Sequence, residues 1–123
     1  IIKAYGLGWA PVGWENLRLF LNSRKVPDEI MEQAGLVKPR GDGRGCYDVF
    51  RARVITPIFD IDGRTVAFGG RLLVEDERQP KYLNSPETPI FNKGRMLYGL
   101  DRHRSAIKQK QTALIVEGYF DLL

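Results

Sequence analysis

The chain has 123 residues and a net charge of +4, and 43% of its residues are hydrophobic. This length is enough for one compact domain with a modest core, and no apolar run approaches the ~20 residues of a membrane span. The start of the chain lacks the layout of a signal peptide, so we expect a cytoplasmic protein with no membrane partner. The chain has one cysteine, Cys46, and one histidine, His103. A single cysteine excludes an internal disulfide. One cysteine and one histidine are too few for a Cys/His zinc site, so we expect no zinc.

Two short helices are predicted near the N-terminus. The first covers residues 14–22, where apolar side chains recur at helical spacing. The second begins at Pro27, which suits a first helical turn, and ends at Gly35, which suits a C-terminal cap. The residues expected on its buried side are Ile30, Met31 and Ala34. Residues 38–45, which read KPRGDGRG, are predicted to form a flexible loop.

A β-hairpin is predicted around Asp62-Gly63, because this dipeptide is favoured in tight turns between β-prone runs. Pro57 cannot donate a hydrogen bond to a neighbouring strand, so a bulge or an edge position is expected there. With Asp62 and Gly63 as the central turn residues, the predicted pairs are Phe59–Val66, Ile58–Ala67, Val54–Arg71 and Arg53–Leu72. The open end of the hairpin is then expected to gather Arg51, Arg53 and Arg71.

The C-terminal part predicts a helix, a strand and the start of a second helix. Asp101 suits the N-cap of a helix that extends to about Lys110, and residues 112–116 form a short apolar run typical of a buried strand. Glu117 follows that strand, at the edge where open α/β sheets bind ligands. Oxygen ligands such as Glu117 and Asp121 suit magnesium or manganese. From the residues alone, exposed acids at a helix start are the simpler interpretation.

A second group of side chains could contact nucleic acid. Cations neutralise phosphates and release their counterions, and neighbouring aromatic and amide side chains add stacking and polar contacts. The candidates are Arg51, Arg53, Arg71, Lys81, Tyr82, Asn84 and Lys93. Composition alone favours ordinary surface cations that pair with nearby acids.

Three segments resemble successive signatures of bacterial DnaG-type DNA primases. They read FRARVITPIFDIDGRTVAFGGR, PKYLNSPETPIFNKGRMLYGL and VEGYFD, and YGLGWAPVGWENL resembles the segment just upstream. Each motif alone is weak, but their order and spacing together are specific over residues 47–123. The chain departs from the family pattern at three places. Thr56 stands where the family usually has Phe, Phe120 stands where Met is commoner, and the loop at residues 74–79 is slightly lengthened.

This resemblance implies an α+β fold, with a small, mainly antiparallel sheet around the central hairpin packed by short helices. Residues 1–110 would be the N-terminal subdomain of the RNA-polymerase core. Residues 111–123 would be the first strand and helix start of a TOPRIM domain. The sequence starts without Met and stops two residues after Asp121, so we expect an excised piece of a longer chain.

The resemblance also implies a function. The intact enzyme would make short RNA primers on single-stranded DNA from ribonucleoside triphosphates, with Mg²⁺ or Mn²⁺, and would contact the replicative helicase through a domain outside this chain. Glu117 would be a catalytic acid and metal ligand with Asp121 beside it, and Lys81 would lie near the initiating nucleotide. The remaining candidates would line a template groove. A second TOPRIM motif, Asp-x-Asp, is absent after VEGYFD, so we expect the chain alone to be inactive.

Three alternatives stay open from the sequence. One is a phage or organellar primase-helicase, in which a ring helicase would follow. Another is a single-stranded DNA-binding module with no activity of its own. The third is a TOPRIM topoisomerase or nuclease, which the FRARV, FGGR and KYLNSPE series disfavours.

Overall fold

A four-stranded antiparallel sheet and a separate two-stranded sheet form the framework of the computed structural model, which describes residues 1–123. The order in the main sheet is β1-β4-β5-β6, and β2 pairs with β3. The strands are β1 (Gly8–Ala10), β2 (Val37–Pro39), β3 (Cys46–Asp48), β4 (Arg53–Phe59), β5 (Thr65–Leu72) and β6 (Tyr82–Asn84). The helices are α1 (Ile2–Tyr5), α2 (Asn16–Ser23), α3 (Asp28–Gln33), α4 (Leu100–Lys110) and α5 (Tyr119–Leu122), with a 3-10 turn at Lys93–Arg95. None of the helices has the length and apolar character that a membrane crossing requires. The expected α+β fold is confirmed.

The central hairpin, β4–β5, keeps the predicted register over most of its length. Three predicted pairs are confirmed, namely Arg53–Leu72, Val54–Arg71 and Ile58–Ala67. The fourth is wrong, because Phe59 pairs with Thr65 after a register shift between Ile58 and Phe59. The bulge therefore lies just beyond Pro57, which itself pairs with Phe68.

The turn of this hairpin also differs from the prediction. Gly63 N–H donates to the carbonyl oxygen of Asp60 at 3.0 Å, so the central residues are Ile61 and Asp62 rather than Asp62 and Gly63. Neither central residue has positive φ, whereas Gly63 has φ +80°. Asp60 Oδ1 accepts hydrogen bonds from the backbone N–H groups of Asp62 and Arg64 at 3.0 and 2.9 Å. These two hydrogen bonds to the Asp60 side chain stabilise a connection longer than two residues, in which a β-turn is followed by a glycine in the left-handed region.

A smaller hairpin, β2–β3, takes Lys38 and Pro39 of the loop predicted at residues 38–45 into its first strand, and residues 40–45 form its connection. It is closed by a backbone hydrogen bond from Arg40 N–H to the Gly45 carbonyl oxygen at 2.8 Å. The buried carboxylate of Asp48 accepts hydrogen bonds from the backbone N–H groups of Leu17 and Arg18, at 2.7 and 2.9 Å. The first amides of a helix lack intrahelical partners, so Asp48 holds the start of α2 against the small hairpin.

Apolar residues are buried in two small separate clusters. Met31, Val37 and Cys46 form one beneath α3 and the small hairpin. Ile58, Ala67 and Phe91 form the other on one face of the main sheet. Met31 is therefore core as predicted, and Gly35 has the φ of +71° expected of a helix end. Ile30, which was also predicted to be buried, is 52% exposed.

Residues 112–116 form no strand, contrary to the prediction. Leu114 is 90% exposed and Ile115 is 79% exposed. A strand requires a neighbour that accepts and donates its backbone hydrogen bonds, and no strand of the main sheet lies beside this segment. The apolar pattern is present, but the pairing that would make it a strand is not.

Candidate nucleic-acid interface

One face of the main sheet carries a cation, an aromatic ring and an amide in adjacent positions. Arg71 pairs with Tyr82 across β5 and β6, and Gly69 pairs with Asn84. Side chains two residues apart on a strand share a face, so Arg71, Tyr82 and Asn84 lie together. The Arg71 Nε donates to the Tyr82 hydroxyl at 3.2 Å, and its guanidinium carbon lies 5.4 Å from the ring centroid of Phe120. We call this surface the Arg71 face.

Arg53 does not belong to this face. Val54 pairs with Arg71, so Arg53, its neighbour along β4, points to the opposite side of the sheet. There it is only 2% exposed, and its Nη1 donates to the Lys81 carbonyl oxygen at 3.3 Å. Burial lowers the pKa of Arg53, and the nearby charge of Arg51 lowers it further. The predicted gathering of three arginines at one end of the hairpin is therefore wrong.

The burial of Arg53 depends on Gly70. A Cβ at Gly70 would lie 2.8 Å from the ring of Phe50 and 3.1 Å from the Cδ of Arg53. Phe50 in turn packs edge-on against Phe68. Because Gly70 has no side chain, the Phe50 ring and the aliphatic part of the Arg53 side chain can pack against its backbone.

Arg51 belongs to a different group, which includes Tyr47 of the small hairpin. Its guanidinium carbon is 4.1 Å from the ring centroid of Trp14 and 5.3 Å from that of Tyr47. Arg40 approaches the same two rings at 5.9 Å. Trp14 is 56% exposed although both guanidinium groups lie near its ring. We call Trp14, Arg40, Tyr47 and Arg51 the aromatic–arginine cluster.

Lys81 is paired with an acid from the neighbouring loop. Its Nζ lies 2.7 Å from Glu75 Oε1, and both side chains are largely exposed. The hydrogen bond from Lys81 lowers the pKa of Glu75, as does the more distant charge of Arg71. An anionic ligand of Lys81 would therefore compete with Glu75.

A pocket of about 270 Å³ brings together three of the predicted site residues. Asn84, Lys93 and Glu117 line it, together with apolar side chains from the segments that follow β6. Lys93 and Glu117 thus lie at one end of the Arg71 face, although they are 24 positions apart in sequence. Cationic, amide and carboxylate groups around one pocket suit a ligand that is polar and charged.

The two predicted acids do not form a metal site by themselves. Asp121 Oδ2 accepts a hydrogen bond from the Gly118 N–H at 2.9 Å, so this carboxylate caps α5. Glu117 is exposed, and no three His, Cys, Asp or Glu side chains of the chain lie close enough together to hold a metal ion. Magnesium binding needs more oxygen ligands than Glu117 supplies here.

The comparisons with known proteins identify the family. The family model described as "DNA primase catalytic core, N-terminal domain" matches residues 1–104. The chain belongs to this family. DNA primases from Synechocystis and Pseudomonas putida are 50% and 46% identical to it over 123 residues, which cover 99% and 100% of this chain. The chain spans 19% and 18% of those two proteins, about one fifth of their length.

Solved primase structures share the fold over almost the whole chain. The RNA polymerase domain of Mycobacterium tuberculosis primase DnaG superposes with a TM-score of 0.89 at 35% identity, covering 98% of this chain and 38% of that one. The Aquifex aeolicus primase, solved with its zinc-binding and RNA polymerase domains, gives a TM-score of 0.84 at 40% identity, covering 98% and 29%. A DnaG primase catalytic domain bound to single-stranded DNA gives 0.78 at 42% identity, covering 98% and 37%. These likenesses agree with the family model and not with the topoisomerase alternative.

Sequence reasoning missed part of this interface. Trp14 is included in the helix predicted over residues 14–22, but it lies before α2 and is mostly exposed. Arg40 belongs to the segment predicted to be a flexible loop. The signal that could have found Arg40 is the concentration of aromatic and basic residues on both sides of the Gly-rich segment at 41–45, whereas Trp14 lies far from that segment in sequence.

Proposed function

We propose that this chain is the part of a bacterial DNA primase core that presents the template and nucleotide surface. In the intact protein it would serve the synthesis of RNA primers on single-stranded DNA from ribonucleoside triphosphates. The observation that carries the proposal is the primase family match over residues 1–104, which includes every residue of the Arg71 face except Phe120. Residues 1–110 would be the N-terminal subdomain and residues 111–123 the start of the TOPRIM domain. Such a protein would act in the cytoplasm and meet the replicative helicase through another part of its chain.

Single-stranded DNA is the nucleic acid that these surfaces suit best. Arg71 and Arg51 each lie near an aromatic ring. Arg71 Nε is bonded to the Tyr82 hydroxyl and Arg51 Nη1 to the Asp48 carbonyl oxygen, and the remaining N–H groups of each guanidinium can contact phosphate. Trp14 is more than half exposed and could stack on an unpaired base, and such stacking does not depend on base identity. A similar primase domain was solved with single-stranded DNA, and the M. tuberculosis domain with a DNA duplex that has a 6-nucleotide overhang.

In this proposal, Glu117 contributes one acid to a metal site that residues outside this chain would complete. Divalent metal would supply charge neutralisation and orientation in phosphoryl transfer. Within this chain, the Glu117 carboxylate shares a pocket with Asn84 and Lys93, so it can act next to a bound anionic group. The chain by itself would then bind DNA without making primers.

Binding to DNA can be tested on this chain directly. Fluorescence anisotropy with a labelled single-stranded oligonucleotide across a salt series should show weak binding that falls steeply as salt rises. Arg71→Ala should weaken binding and reduce the slope of log K against log salt by about 0.7, the value for one phosphate contact. Arg24→Ala is the matched control, because Arg24 also lies over a ring, that of Phe20, but belongs to neither the Arg71 face nor the aromatic–arginine cluster. Equal effects of the two substitutions would contradict the location of the binding surface.

Catalysis needs a second experiment. Incorporation of labelled ribonucleotide on a DNA template should be undetectable with this chain and present in a protein that continues through the whole TOPRIM domain. In that longer protein, Glu117→Gln should abolish synthesis and leave template binding nearly intact, because it removes a charge but little volume. Primer synthesis by the 123-residue chain would refute the expected inactivity of this chain alone. Full activity of the longer Glu117→Gln variant would refute the role given to Glu117.

A further inference from the structure

Tyr119 connects the segment that carries Glu117 to the central hairpin. Its hydroxyl donates a hydrogen bond to Asn84 Oδ1 at 2.8 Å, across 35 positions of sequence. Its ring packs edge-on against Tyr98, with the centroids 4.7 Å apart. Residues 112–116 pair with no strand of this chain. Tyr119, two residues after Glu117, therefore provides a side-chain link between the Glu117 turn and the main sheet.

The main sheet is shaped to receive this ring. A Cβ built on Gly69 would lie 2.6 Å from Cε2 of Tyr119 and 3.2 Å from Asn84 Oδ1, so any larger residue would collide with both members of the hydrogen bond. Gly69 does not have positive φ, so its lack of a side chain serves space and not backbone conformation. Close approach of another group is a recognised reason for glycine inside a strand.

We propose that Tyr119 is a positioning residue for the acid at Glu117. It holds the Glu117–Gly118 turn against β5 and β6, so that the Glu117 carboxylate stays in the pocket with Asn84 and Lys93. This inference rests on the proposed function, since it concerns the acid that the function uses. Tyr119 itself need not touch the substrate.

Two further features support this assignment. Burial raises the pKa of Tyr119, so the hydroxyl stays protonated and able to donate throughout the neutral range. Leu122 packs against Gly99, where a Cβ would lie 2.8 Å from Leu122 Cδ1, so α5 has a second contact with the rest of the chain. Removing only the Tyr119 hydroxyl should therefore loosen the Glu117 turn without detaching the helix.

The test uses a full-length primase that contains this sequence and compares Tyr119→Phe with Tyr98→Phe. The two rings pack on each other, but only Tyr119 makes the hydrogen bond to Asn84. Tyr119→Phe should lower kcat for primer synthesis roughly three- to tenfold, the cost of one hydrogen bond, with KM for ribonucleotide and Kd for template unchanged. Gly69→Ala, which displaces the ring, should give a larger loss of the same kind. A wild-type kcat in Tyr119→Phe, or an equal loss in Tyr98→Phe, would overturn the inference.

Hydrogen exchange on the same proteins gives a readout that does not depend on activity. The backbone amides of residues 118–122 should exchange faster in Tyr119→Phe than in Tyr98→Phe, while those of the central hairpin stay unchanged. Equal exchange in the two variants would also overturn the positioning role. If the wild-type protein makes no primer, the proposed function fails, and the exchange comparison still decides whether Tyr119 holds the turn.

Discussion

Gly63→Val should destabilise the protein through backbone strain alone. Gly63 has φ +80°, and a Cβ built there meets no atom within 4 Å, so the new side chain has room but an unfavourable backbone conformation. A β-branched residue in this region costs about 1–3 kcal/mol. For a domain of this size, each 1 kcal/mol lowers the melting temperature by roughly 3–5 °C. The expected decrease is therefore roughly 3–15 °C.

Gly41→Val is the matched control for this experiment. A Cβ at Gly41 also meets no atom within 4 Å, but Gly41 does not have positive φ. The same substitution there should change the free energy of unfolding by no more than about 0.5 kcal/mol. Gly63→Asn should fall between the two, because asparagine tolerates the left-handed region better than other residues. Thermal melts followed by circular dichroism measure all three, and equal melting temperatures for Gly63→Val and Gly41→Val would refute the strain argument.

Three more predictions concern charged side chains. Arg53→Met should leave the free energy of unfolding unchanged or raise it by up to roughly 4 kcal/mol in a denaturant titration, because it replaces a buried guanidinium that has no carboxylate partner. A clear loss of stability would mean that the guanidinium charge stabilises the fold. Glu75→Gln should strengthen binding of single-stranded DNA more than Glu77→Gln, because only Glu75 pairs with Lys81. Equal gains in affinity in an anisotropy titration would mean that the change in net charge, and not the loss of the pair with Lys81, explains the effect. Hydrogen bonds from Arg18 hold the pKa of Asp28 below its usual value of about 3.9, so the stability they add is present above that pH and is lost as pH falls towards the folded-state pKa. Asp28→Asn should therefore flatten the acid side of a stability–pH curve, and an unchanged acid side would contradict the coupling.

The register of the central hairpin was predictable because its signals are local. A turn dipeptide between two β-prone runs and the period of two along a strand are enough to pair Val54 with Arg71. The turn itself was predicted one position away from the observed one. The reason is the Asp60 side chain, which accepts two backbone hydrogen bonds that compete with a two-residue turn.

Candidate site residues could be chosen from the sequence, but their grouping into surfaces could not. The pairing of Val54 with Arg71 already places Arg53 on the other side of the sheet, yet its burial depends on Phe50 and Gly70, which pack there only in the folded chain. Likewise, the meeting of Asn84, Lys93 and Glu117 at one pocket depends on how residues 91–122 pack on the sheet. Sequence spacing carries no information about that packing.

The strand predicted at residues 112–116 failed for a different reason. Apolar β-prone residues indicate that a segment can be a buried strand, but a strand forms only where its backbone hydrogen-bonds to a neighbouring segment. Leu114 and Ile115 have the right side chains and no partner within the chain. A pattern in one segment cannot establish that its neighbour is present.

The consecutive glycines of β5 reduce the main sheet to the thickness of its backbone at one point. The Tyr119 ring approaches Gly69 from one side, and the Phe50 ring approaches Gly70 from the other. Every substitution at this dipeptide therefore pushes an aromatic ring away from one side of the sheet, whatever the chemistry of the new side chain. A saturation mutagenesis map would show Gly69 and Gly70 as adjacent positions with almost no tolerance, and Gly41, with open space around it, as a permissive one.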